Sequence, residues 1–134
     1  MTEPVIVLDT GAIDQVVTNK EFRAILEDLL RSGWTPIIPT PVLAEAITGR
    51  AADGAANQAI GRIGTTVTDE PLARHAGALR YEAARAAGRR APSGIDAIVA
   101  AHAASAGAGV VFTSDPGDLR RLLVTSPGVR VERP

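Results

Sequence analysis

Residues 5–11 read Val-Ile-Val-Leu-Asp-Thr-Gly. Four consecutive apolar residues with no polar alternation describe a strand covered on both faces, the situation of a parallel sheet with helices above and below it. Asp9-Thr10-Gly11 ends the run. Far along the chain a second apolar run, Val110–Thr113, is followed by Ser114-Asp115-Pro116-Gly117-Asp118. Each run therefore delivers an aspartate just past its carboxyl end. In open α/β sheets, ligand sites form there, near the point where strand order reverses.

Working outward from these two strands, helices alternate with short apolar segments. Thr18–Glu21 reads as a capping box, with Val17 and Phe22 as its hydrophobic staple, opening a helix that Gly33 stops. Ile37 and Ile38, between Pro36 and Pro39, suggest a short strand. Thr40 then Pro41 reads as an N-cap and first helical residue, giving a helix over Val42–Thr48, with a weaker one over Ala51–Ile63. Thr65–Thr68 is a further strand candidate. A long alanine–arginine helix covers Glu70–Ala87 and ends at Gly88, Arg89–Pro92 is a loop, and Ser93 starts a helix to about Ser105. A short helix over Leu119–Val124 and a last strand at Val129–Val131 complete the series. The fold class expected is α/β with a central, mostly parallel sheet flanked by helices. At 134 residues the chain is read as one domain, 1–134.

Composition removes whole classes of chemistry. The absence of cysteine excludes disulfide scaffolds, thiol nucleophiles and thiolate metal sites, and fits a cytoplasmic protein. No apolar stretch approaches the roughly 18 residues of a membrane span, and the start MTEPVIVLDT lacks the basic region of a signal peptide. A net charge of −1 argues mildly against extensive phosphate contact, unless an acidic cluster offsets basic residues elsewhere. Lys20 is the single lysine, which eliminates several rivals. Gly64-Thr65-Thr66 cannot be a P-loop without one, and Gly107-Ala108-Gly109 precedes a strand and lacks the third glycine of a dinucleotide fingerprint. Asp9-Thr10-Gly11 has Gly11 where an aspartyl phosphatase loop needs its second aspartate. His75 and His102 are too few for zinc and read as helical surface residues. No serine occupies a nucleophile elbow.

The acids remain. Asp9, before Thr10-Gly11, reads either as a turn or helix-cap residue or as a ligand. Asp96, three residues after Ser93, reads either as a capping-box partner or as a ligand. Asp115 reads equally well as the cap of the helix that Pro116 begins, with Asp118 near its dipole. Glu45 has no such role: it falls mid-helix in PVLAEAITG with no base at helical spacing, and a partly buried unpaired carboxylate requires a partner. Hard oxygen ligands select Mg²⁺ or Mn²⁺, and carboxylates gathered on such ions serve phosphoryl transfer.

In order and spacing, VIVLDTGA, IIPTPVLAEA, SGIDAIVAA and VVFTSDPGDL resemble the four signature segments of PIN domains, with the VapC-type toxins of bacterial toxin–antitoxin pairs as the nearest match. The resemblance spans nearly the whole chain, and the ordered set is far more specific than any one segment. It implies a PIN-like fold and a metal-dependent ribonuclease that hydrolyses RNA phosphodiesters. Its acidic quartet falls on Asp9, Glu45, Asp96 and Asp115, with Asp9, Asp96 and Asp115 holding Mg²⁺ or Mn²⁺. Thr113 matches the hydroxyl residue two before the last aspartate, Asp118 a frequent outer acid, and Thr10 and Ser93 supporting hydroxyls. Asp14 is a departure, in a helix usually apolar there. Arg89 and Arg90, with Arg74, Arg80 and Arg85 upstream, are candidates for RNA backbone contact, or else simply a solvated face. The resemblance further implies a VapB-like antitoxin partner and a homodimer, and a PIN domain with nothing appended resembles a toxin more than a processing enzyme. The alternatives are a PIN nuclease of RNA processing and a non-catalytic α/β interaction module that keeps the acids as caps.

Overall fold

A computed structural model describes residues 3–88 and 90–134, so Arg89, one of the two candidate RNA contacts, lies outside the described residues. The two strands read first from sequence pair with each other. β1 (Val5–Leu8) and β3 (Gly109–Phe112) are buried at every position and run parallel, Val5 opposite Gly109 and Leu8 opposite Phe112. Gly109 adopts φ +149°, and a Cβ there would collide with the Val5 backbone, so the start of β3 reaches its neighbour only as glycine. β2 (Thr35–Ile37) joins β1 and β4 (Val129–Glu132) joins β3, giving an all-parallel sheet of order β2-β1-β3-β4. The chain leaves β1 toward one edge and returns on the other side at β3. Strand order thus reverses between them, and a crevice is expected beyond Leu8 and Phe112.

Among the described residues seven α-helices accompany the sheet: α1 (Thr10–Thr18), α2 (Lys20–Arg31), α3 (Leu43–Ala46), α4 (Gly54–Ile63), α5 (Glu70–Ala87), α6 (Gly94–Ala106) and α7 (Pro116–Leu122). α6 lies against β1 and β3 and buries Ala97, Val99, Ala100, Ala101 and Ala103, small residues that allow close approach. α5 packs against α6. On α2, Phe22 meets Phe112 edge-to-face, with ring centroids 4.9 Å apart at 77°. Among the described residues no helix is long and apolar enough to cross a membrane.

Several local expectations are corrected. The chain does not turn after Asp9. It enters α1 at once, Thr18 is the last residue of α1, and α2 is capped by Asn19, whose side chain accepts from Phe22 N at 3.1 Å. The helix expected over Val42–Thr48 is a 3-10 turn, Thr40–Val42, capped by position 39 rather than Thr40, followed by the single turn of α3. The cause is Asp53, which accepts hydrogen bonds from the backbone of Thr48, Gly49 and Arg50 and draws the chain out of the helix at Ile47. Thr65–Thr68 is not a strand. Thr66 forms one bridge to Pro39, and proline has no N–H with which to extend a ladder. His102 is not on the surface but 4% exposed, with its Nε2 2.8 Å from the Thr68 hydroxyl, and burial lowers its pKa against the opposing charge of Asp69.

Candidate functional site

The crevice beyond β1 and β3 is built from two loops held in contact. A Cβ at Gly11 would overlap the Ser114 side chain, so the first turn of α1 and the loop after β3 touch only because residue 11 is glycine. Asp9 stands at this junction, half-buried. One of its oxygens accepts from Ala12 N at 2.9 Å, so the cap reading holds for that oxygen. Burial raises the Asp9 pKa and the Glu45 charge adds to this, while the Thr113 hydroxyl and the N–H groups of Ala12 and Gly11 oppose it.

Thr113 is fully buried, and its hydroxyl accepts from Asp115 N at 3.0 Å, which orients the loop. Arg133, at the end of the chain, fastens the same loop by donating to Ser114 O at 2.8 Å. Asp115 occupies the N-cap position of α7, yet its exposed side chain makes no capping bond. The cap reading therefore does not account for this carboxylate.

Asp96 lies in the first turn of α6, half-buried. The Ser93 hydroxyl accepts from Asp96 N at 3.1 Å, but no reciprocal bond from Ser93 N to the Asp96 carboxylate forms among the described residues, so the capping box is not completed. Burial drives the Asp96 pKa from 3.8 to about 6. The Ser93 hydroxyl opposes the rise, and the charges of Asp9, Asp118 and Asp115 reinforce it. Asp118 itself accepts from Arg121 at 3.0 Å.

Glu45 corrects the expectation of partial burial: on the single turn of α3 it is exposed, and the Thr10 hydroxyl donates to its Oε1 at 3.3 Å. The quartet and Asp118 nevertheless share one electrostatic neighbourhood, since Asp96 feels Asp9, Asp115 and Asp118, and Asp9 feels Glu45. Among the described residues no three acidic or histidine side chains stand close enough to form a closed metal cage. The donor set still fits a hard divalent cation of the Mg²⁺ kind, which keeps several waters and binds through one or two carboxylates plus substrate phosphate. The idle Asp115 carboxylate and the neutralisation-prone Asp96 are the groups such an ion would relieve.

Two arginine clamps shape the surroundings: Arg121, not singled out from sequence, and Arg80, named there only as a candidate for RNA backbone contact. Arg121 donates to Asp118, to Ala83 O at 3.3 Å and to Arg90 O at 3.1 Å. Arg80 donates to Pro92 O at 2.6 Å. Only the Asp118–Arg121 spacing of three residues was a readable signal, because the carbonyls come from distant elements.

The architecture defines the class: the chain belongs to the PIN domain family, whose model matches residues 6–122. No curated protein is similar enough in sequence to count as a match. Among solved structures, the chain is similar to a chain of VapBC2 from Rickettsia felis, bound to a DNA fragment from their promoter, with a TM-score of 0.73 and 19% identity, covering 96% of this chain and 98% of that one. It is similar to a chain of DNA-bound VapBC from Salmonella typhimurium, with a TM-score of 0.65 and 26% identity over 99% and 98% of the two chains. FitAcB from Neisseria gonorrhoeae gives a TM-score of 0.63 and 22% identity over 94% and 95%.

Proposed function

We propose that this PIN domain is a cytoplasmic Mg²⁺- or Mn²⁺-dependent endoribonuclease, the toxin of a VapBC-like pair, acting as one domain over 1–134. The observation that carries the reading is the acidic neighbourhood at the strand-order reversal, where Asp96 is driven to about 6 by burial and by other carboxylates. Asp9, Asp96 and Asp115 are the residues that would hold the ion, which when bound supplies water activation and neutralises charge on the phosphate. Glu45, with one oxygen held by Thr10, keeps the other free to take a proton from attacking water. Thr113 and Ser93 fix the approach of Asp115 and Asp96 through their backbone N–H groups. Arg121 keeps Asp118 paired and out of competition for the ion.

The partner half of the proposal draws on the VapBC likenesses and on an apolar groove of about 290 Å³ between α1, α2 and α4, lined by Val16, Leu26, Leu30 and Ile63 among others. A VapB-like antitoxin segment is its proposed occupant, and a homodimer the proposed assembly.

The deciding experiment incubates the purified chain with single-stranded RNA in Mg²⁺ or Mn²⁺ and in chelator. Cleavage should require metal and be lost in Asp96→Asn and in Asp115→Asn while both variants stay folded. Cleavage by both variants at the wild-type rate would overturn the site assignment. For the toxin role, expression should arrest growth and a co-expressed small partner should relieve it. Folded protein that is harmless at high level in its native host, without any partner, would count against that role.

A further inference from the structure

Beside the acidic site a second concavity of about 630 Å³ opens, lined by Arg80, Arg90, Ala91, Ser93, Asp118 and Arg121. Its lining carries three arginines and one acid, and that acid is already matched by Arg121 at 3.0 Å. The terminal nitrogens of Arg121 are otherwise spent on the carbonyls of Ala83 and Arg90, and its Nε is buried, so it acts as a bolt rather than a ligand. Arg80 uses its Nε on Pro92 O and leaves its two terminal nitrogens without a partner among the described residues. The exposed Arg90 side chain makes no hydrogen bond among them.

We infer that this cleft is a phosphodiester subsite for the RNA strand, with Arg80 and Arg90 as its cations; the inference rests on the nuclease reading above. Three features support it. The cleft shares Ser93 and Asp118 with the surroundings of Asp96, so a phosphate held here belongs to the same strand as one presented to the acids. Its wall is preset: Arg121 from α7 holds Arg90 O and Arg80 from α5 holds Pro92 O, so little backbone needs ordering when a ligand arrives. It is lined by Ser93, the N-cap of the 13-residue α6, where the helix dipole adds to the attraction of the two guanidinium groups for an anion. The arrangement also answers the charge objection. A chain of net charge −1 needs no basic surface overall if two unspent arginines stand beside the acids.

The test is binding of a fluorescently labelled single-stranded RNA in chelator, followed by anisotropy over a range of salt, with cleavage in Mg²⁺ or Mn²⁺ measured in parallel. Arg90→Gln and Arg80→Gln should each raise Kd several-fold and lower the slope of log K against log salt by about 0.7, and the double variant by about twice that. Arg90→Lys, which keeps the charge, should recover most of the slope. Arg90 makes no side-chain bond among the described residues, so its substitution tests the subsite even if Arg80→Gln disturbs the fold. An unchanged slope and Kd in the Arg90→Gln variant, with cleavage retained, would overturn the subsite and leave the nuclease standing. Wild-type protein that neither binds nor cleaves RNA would overturn the nuclease reading and the subsite with it.

Discussion

Asp53 and Asp96 are the same side chain placed under two regimes. Asp53, 6% exposed, is surrounded by donors: the Thr48 hydroxyl at 2.8 Å and the N–H groups of Thr48, Gly49 and Arg50 at 2.9, 2.7 and 3.2 Å. The hydroxyl above all, with the N–H groups, holds its pKa below the usual carboxylate range against the effect of burial. Asp96 has the Ser93 hydroxyl alone to set against burial and three like charges, and rises to about 6. Burial is common to both, so it does not separate them. The partners do: a carboxylate whose lone pairs are filled from its own chain is structural, and one left facing other carboxylates is poised for something the chain does not supply.

The largest expected effect breaks the comparison on activity. Asp96→Asn should lower metal-dependent RNA cleavage by roughly 10²-fold or more, the scale lost when one preorganised electrostatic group is removed from a reacting centre. Asp53→Asn should lower Tm more than any other single acidic substitution considered above, yet keep cleavage within several-fold at temperatures where it is folded. Equal loss of cleavage in both, measured on proteins verified as folded, would erase the distinction.

Metal separates the pair next. With Mn²⁺ at a hundredfold excess over its Kd, the native state should gain about 2.7 kcal/mol by mass action. Wild type and Asp53→Asn should both show this in thermal melts, and Asp96→Asn should show little of it. A wild-type Tm indifferent to Mg²⁺ and Mn²⁺ would mean that the carboxylates do not gather an ion.

How much of this contrast could be read from residues alone follows from the range of the contacts. VIVL and VVFT were legible as buried strands because burial on both faces is written into consecutive residues, and the parallel sheet followed from them. The Glu70–Ala87 helix was legible to its last residue because Gly88, at φ +57°, ends it. Asp53 was not legible: its donors come from a loop whose backbone curls around the carboxylate only once folded. The same loop cut the Val42–Thr48 helix short, so the two misses have one cause. α1 was missed because Asp9-Thr10-Gly11 is as good a turn as it is a helix start, and the choice depends on Gly11 lying against Ser114. The acids were found, but the clamps of Arg80, Arg121 and Arg133 were not, since each reaches a carbonyl at least 12 residues away.

A smaller effect concerns pH, and the two acids give opposite signs. Asp53, depressed in the fold, contributes stability that is present above about pH 4 and lost as pH falls through its folded pKa. Asp96 is raised: between pH 4 and 6 the native state binds a proton that the unfolded chain has released, so stability falls as pH rises through that window. At neutral pH in chelator, Asp96→Asn removes this penalty and should raise Tm by a few degrees, about 1 kcal/mol once solvent screening at a half-buried site is discounted. The gap between variant and wild type should close as pH is lowered to 4. A lower Tm for Asp96→Asn at neutral pH would mean that the carboxylate serves as a helix-start charge after all.

The smallest effect isolates one hydroxyl on each side. Thr48→Ala removes the strongest single donor to Asp53, but three N–H donors remain, so the carboxylate should stay ionised to low pH with its midpoint moved only slightly upward. Ser93→Ala removes the one hydrogen-bonding group set against the rise of Asp96, and with it the acceptor for Asp96 N. Losing this N-cap should cost about 1 kcal/mol of stability. It should also move the Asp96 midpoint upward, visible as a carboxyl resonance titrating at higher pH in chelator. With the proton held more tightly, more of the site is neutral at a given pH. Metal binding must release that proton, so apparent Mn²⁺ affinity near pH 6 should weaken, with much of the difference recovered at pH 8. A cap with no tie to the site would lower Tm alike but leave both the midpoint and the metal affinity where they were. The joint movement of Tm, midpoint and metal affinity in Ser93→Ala, against movement of Tm alone in Thr48→Ala, is the finest form in which the two carboxylates can be told apart.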